Sequence, residues 1–252
     1  MPNDQLPNLD DARACLARAQ KHYDELTKLT DPGALWKITK GRDEQTGEWL
    51  GRLNLNRALL VEAKPVLADC ATNAISALDH VAAAIAKSNG HNRLWSLYFP
   101  LGLTDEAYGN ACDRTNGALG QDALDLLTDA RNRLHANLPF IEAAKQISYS
   151  VKHWALIPAM GGAAAVGIDL PGSQRIFNLP ADAFATADYH EYYRGEEPLP
   201  PGNQTIVVSL RIEGLKDGFP TGINAILECS FRFVQGIIDA VAEAREGPAH
   251  AT

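Results

Sequence analysis

Residues 66–86 read VLADCATNAISALDHVAAAIA. Ala, Val, Leu and Ile fill the run, and polar side chains return through it at three- and four-residue steps: Asp69, Asn73, Ser76 and His80. That spacing puts the four on one face of an α-helix, with Asp79 beside Ser76. The other faces carry Val66, Leu67, Ala71, Ala74, Ile75, Ala77, Leu78, Val81, Ala84 and Ile85. Pro65 suits a first helical turn and Asn89-Gly90 a stop, so the spacing predicts a helix from Pro65 to about Ser88. A helix apolar on nearly every side belongs at the centre of a fold. The polar stripe is therefore expected to be largely buried or to line a cleft. Burying unpaired polar groups costs roughly 2–7 kcal/mol each in an apolar medium, so the stripe must bond to itself, a neighbouring helix, water or a ligand. Two readings follow. One is a satisfied core network that fixes helix register. The other is a site, with His80 as acid/base near neutral pH, Asp79 orienting it, and Asp69, Asn73 and Ser76 as binding groups.

Working outward, Asp10 to Leu29 has an apolar face of Leu16, Ala19, Tyr23, Leu26 and Leu29 and predicts an amphipathic helix ended before Pro32. WKITK (36–40) and EWLGRLNL (48–55), separated by GRDEQTG, predict a β-hairpin. Beyond the central helix, LWSLYFPLGLT (94–104) reads as an irregular connector ahead of a short helix, Asp105 to Cys112. Helices are expected over Gln121–Ala136 and from Pro139 to about Ile157. After Pro158 come three β-like runs, AAAVGIDL, QRIFNL and TIVVSLRIEG, with a polar loop, ADYHEYYRGEEPLPPGN (187–203), between the second and third. A final helix from Thr221 to Ala244 has Ile223, Leu227, Phe231, Val234, Ile238 and Val241 as its buried stripe. Strands and helices do not alternate, so a doubly wound sheet is not expected. The expectation is a single α+β domain: a helical core of five to six helices (about 10–157 and 220–245), a β-rich insertion (about 158–215), and an antiparallel sheet formed by the N-terminal hairpin and the C-terminal strands.

The 252 residues carry a formal net charge of −8. That balance weighs against a general nucleic-acid binder, whose affinity comes from Lys and Arg on phosphates, without excluding a local basic patch. The four cysteines, at 15, 70, 112 and 229, include no C-x-x-C pair, so no structural zinc site, and no other metal or cofactor, is expected. Their spacing points to a reducing, cytoplasmic compartment. The opening MPNDQLPNLDDARA is polar and unlike a secretory leader, and no stretch is long and apolar enough to span a membrane.

The helix–hairpin–helix order, the D-x-x-T-G-x-W turn and N-x-x-S-A-L-D-H together resemble a bacterial protein family without an established activity. In that family the long helix reads G-D-x-x-H-N-L-R-S-A-L-D-H and a later segment N-N-I-D-K-H-R. The resemblance covers roughly residues 10–160 and the final helix more weakly. Asp69, Asn73, Ser76, Ala77, Leu78, Asp79 and His80 match the first motif, with Ile75 at the family's Arg and Thr72 at its His. Lys152 and His153 match the second, with Val151 for Asp and Trp154 for Arg. The family's R-x-x-x-x-H is also similar to the signature of HEPN domains, helical and often dimeric modules, many of them metal-independent ribonucleases. The resemblance implies a helical core, a homodimer and the matched positions as candidates. Ile75 cannot hold a phosphate, so it further implies an inactive interaction or regulatory module, or one whose cation comes from elsewhere, such as Lys152 or His153 on a neighbouring helix. The alternatives are a ribonuclease working through His80 and a small-molecule binding protein.

Other features read as structural. Arg131 and His135 suggest a surface helix pair. Gly161, Gly162 and Gly167 suggest a strand entrance, with no phosphate-loop pattern. Asp188, His190 and Glu191 in DYHEYY contain too few ligands for a convincing metal site, while Tyr189, Tyr192 and Tyr193 suggest a partner-facing edge.

Overall fold

A computed structural model describes residues 7–149, 155–158, 165–170, 173–180, 182–184, 186–199, 201–207 and 210–246. It is α+β, as the pattern predicts. The helices are α1 (Asp10–Leu29), α2 (Pro32–Leu35), α3 (Arg57–Ser88), α4 (Asp105–Leu119), α5 (Gln121–Arg133), α6 (Leu138–Tyr149) and α7 (Ile223–Glu246). The strands are β1 (Trp36–Arg42), β2 (Trp49–Leu55), β3 (Ala155–Pro158), β4 (Ala165–Leu170), β5 (Ser173–Asn178), β6 (Tyr189–Gly195), β7 (Gln204–Val207) and β8 (Leu210–Glu213). The chain divides into two compact units, one of residues 1–24, 66–154 and 214–252, the other of residues 25–65 and 155–213.

The first unit is helical. The stripe predicted for α7 is buried along its whole length, from Ile223 to Val241, together with Phe233 and Ile237. Tyr23 of α1 donates to Glu228 of α7 at 2.8 Å and packs edge-on against Phe231 at 5.7 Å. Burial and the Glu228 carboxylate push this phenol up to about 12. On α3, the buried Cys70 donates its S–H to the Ala19 carbonyl at 3.2 Å, and desolvation raises the thiol to about 12. At the end of α3, Asn89 donates to the Ala118 and Leu119 carbonyls, which ties the helix end to the end of α4. Thr104 caps α4 by accepting from Ala107 N–H at 3.2 Å.

The second unit is built on β-structure. β1 and β2 form the predicted hairpin, with Trp36 opposite Leu55 and Arg42 opposite Trp49. β6 adds to β2 antiparallel, giving the order β1-β2-β6; the other sheets are β3-β8 and β5-β4-β7. The core of this unit holds Trp36, Leu53, Leu55, Leu60, Val166, Ile168, Phe184 and Tyr192.

Several boundaries differ from the sequence reading. α3 begins at Arg57, not at Pro65, because RALLVEAK is rich in strong helix formers that carry the helix upstream through the proline. α4 runs on to Leu119, and residues 155–157, read as the end of a helix, lie in β3. The hairpin takes its third strand from the segment read as a loop. β6 is an edge strand whose one fully inward side chain is Tyr192, so its pattern is too polar to announce a strand. Extended backbone also sends DYHEYY side chains to alternate faces. Asp188 pairs with Arg57, Glu191 lies 3.5 Å from Arg52, and His190 meets the Phe184 ring at 6.4 Å. No metal-binding cluster forms there, or elsewhere among the described residues. Tyr189 is exposed, whereas Tyr192 is buried and Tyr193 half-buried.

Candidate functional site

The polar stripe of α3 is not buried as expected. Asp69 and His80 are exposed, and Asn73 and Ser76 are half-buried. The stripe is the solvent side of the helix, and the apolar positions suffice to seat α3 in the core. Asn73 turns back on its own helix and donates to the Asp69 carbonyl at 2.8 Å. His80 borders a polar groove of about 220 Å³ with Asn8, Asp11, Lys87 and Ser88. Lys152, His153, Gly161 and Gly162 lie outside the described residues, and so does any site they share with His80.

Asp79, one residue from His80, turns the other way. It lines a pocket of about 310 Å³ with Ile75 and Leu78 of α3, residues 96–101 of the connector, Ala111, Arg114 and Thr115 of α4, and Lys145 and Tyr149 of α6. The two members of S-A-L-D-H picked as a catalytic pair thus serve different surfaces. Ile75, at the Arg position of the resembled family, lies in the Asp79 pocket.

The connector forms the pocket wall and is pinned at two points. Asp79 Oδ1 accepts the Phe99 N–H at 2.8 Å. Further along, Arg131 donates to the Gly102 carbonyl at 3.3 Å, pairs with Asp105 at 3.1 Å and lies 4.4 Å over the Tyr108 ring. Arg131 is therefore a buried anchor and not the surface residue its sequence context suggested; its neighbour His135 is exposed. At Gly102 a Cβ would stand 2.4 Å from the Tyr108 backbone nitrogen, so the connector meets α4 closely enough to require glycine.

Burial is the main influence on Asp79 and raises its pKa above the ordinary carboxyl value. The Phe99 N–H and the positive charges of His80 and Lys145 act in the opposite direction without overcoming it. Burial also raises the Tyr149 phenol, with added repulsion from Asp79, Tyr98 and Glu142. Lys145 sits 3.7 Å from Glu142 one turn away on α6. The pocket thus combines a partly desolvated carboxylate, two cationic side chains and an apolar floor. Two aromatic side chains of the lining, Tyr98 (59%) and Tyr149 (64%), are largely exposed and give the pocket an aromatic mouth.

Of this set the sequence reading found Asp79 and, by its motif position, Ile75. Arg114, Lys145 and Tyr149 gave no signal, because they come from two helices that meet the α3 wall only in the fold. The aromatic connector LWSLYF, with Tyr98, was the one hint available. Against family models, curated proteins and solved structures the chain finds no match.

Proposed function

We propose that the protein is a non-catalytic interaction or regulatory module with a HEPN-like helical core, working by binding a small molecule in the Asp79 pocket. The observation that carries this reading is the split at residues 79 and 80: the desolvated carboxylate enters a formed pocket while the imidazole faces outward. A general base and the group that orients it need hydrogen-bond reach of one another or of a common substrate, and this arrangement gives them separate surfaces. Ile75 in the pocket supports the same reading, since the position that carries Arg in the resembled family here offers only apolar surface. The pocket's form supports binding: an apolar cavity with a few converging polar groups. The aromatic mouth offers a surface for a protein partner or a second copy of the chain. Four free thiols suit a reducing, cytoplasmic setting. No helix among the described residues is long and apolar enough to cross a membrane.

The test pairs an activity with a binding readout. Purified protein incubated with single-stranded and structured RNA is expected to leave it intact. In a thermal-shift screen of metabolites, hits are expected to lose their effect in Asp79→Asn and to keep it in His80→Ala. RNA cleavage that disappears in His80→Ala would replace this reading with the metal-independent ribonuclease.

A further inference from the structure

The lining of the Asp79 pocket carries both signs of charge on an apolar floor. Its one carboxylate comes from α3 and has an oxygen, Oδ2, without a protein partner among the described residues; its two cations, Arg114 and Lys145, come from α4 and α6. Ile75, Leu78, Leu97, Phe99 and Leu101 supply the apolar surface. A purely apolar ligand would leave the partly desolvated Asp79 carboxylate without a partner for its second oxygen. A simple anion would face Asp79 and, beyond it, Glu142; a simple cation would face Arg114 and Lys145. A molecule that presents an ammonium and a carboxylate together, with an apolar body, answers all of them. The volume, about 310 Å³, is at the small end of ligand pockets, which fits one such unit and excludes a cofactor-sized molecule.

Resting on the binding reading above, we propose that the pocket recognises a free α-amino acid with an apolar or aromatic side chain. Asp79 receives the ammonium, Arg114 and Lys145 receive the carboxylate, and the side chain lies on Ile75, Leu78 and Leu101 beneath Tyr98 and Tyr149. An ammonium at Asp79 replaces some of the solvation its carboxylate loses on burial, so ligand and protein each satisfy a charge the other holds away from water. Arg114 gives the forked geometry a carboxylate prefers, and Lys145, held by Glu142, supplies the second positive charge.

The probes are L-phenylalanine, phenylpropionate (no ammonium) and phenethylamine (no carboxylate), titrated into the full chain with chemical-shift mapping and calorimetry. L-Phenylalanine is expected to perturb Asp79, Phe99 and Lys145, and each truncated probe to bind at least about tenfold more weakly, the value of one charge-assisted contact. Asp79→Asn should weaken L-phenylalanine and strengthen phenylpropionate, which it frees from a repelling charge; Arg114→Gln and Lys145→Gln should weaken L-phenylalanine and strengthen phenethylamine for the same reason. Circular dichroism and melting curves matched to the parent confirm that the variants fold. A truncated probe that binds as well as the amino acid overturns the inference while the pocket remains a binding site. Failure of these probes, together with failure of a broad fragment screen to map to the pocket, overturns both this inference and the binding reading.

Discussion

Asp79 is the residue at which packing, charge and proposed role meet. Its unfolded carboxyl titrates near 3.8, and burial raises that value in the folded chain. The folded state therefore holds the proton more tightly. The resulting stabilisation is complete below 3.8 and is lost as the pH climbs from there through the folded-state value; above that it stays lost. Asn at this position cannot titrate yet keeps an oxygen for the Phe99 N–H. The unfolding free energy of the parent minus that of Asp79→Asn is expected to fall with rising pH across that acid interval and then level off, as read by denaturant unfolding at a series of pH values. A difference that rises with pH would mean that the ionised carboxylate is the favoured form in the fold.

At the scale of elements, α3 carries a proline in its interior. Pro65 brings no N–H to the Val61 carbonyl, and Val61 is 68% exposed, so this stretch of the helix lies on the solvent side. Exposure limits the damage. A Pro within a helix costs about 3 kcal/mol against Ala, of which Pro recovers about 0.4–1 kcal/mol by restricting the unfolded chain. Pro65→Ala is thus expected to stabilise the protein by about 2 kcal/mol, read as a higher midpoint in urea. Elements whose apolar pattern is long and regular, α1, the hairpin and α7, were legible in the sequence because burial of one face decides them. Pro65 was misread because a proline that opens a helix and one that interrupts it look alike without the fold. β6 was invisible because its stability comes from pairing with β2 and from the ion pairs of Glu191, which local sequence does not encode. The pocket was legible only at its α3 wall, since its cations are supplied by other helices.

For the molecule as a whole, the helical unit is assembled from segments that lie far apart in sequence. Tyr23 meets Glu228 and Phe231, and α7 packs on α5 and α6. Removing α7 would uncover the apolar surfaces of its neighbours, at about 25 cal/mol per Å². A chain ending at residue 222 is expected to lose cooperative melting and to bind a hydrophobic dye, whereas one ending at residue 246 should melt like the parent; calorimetry with a dye-binding assay distinguishes the two.

The late position of α7 also sets an order of events during synthesis. A ribosome must finish residues 25–65 and 155–213 before it makes the helix that closes a core begun by α1. Tyr23 waits for its covering through most of translation, and the inner faces of α5 and α6 wait while residues 155–213 are made, so the nascent chain carries adhesive surface until α7 emerges. Slow, long-range closure of this kind is the situation in which holdase chaperones act.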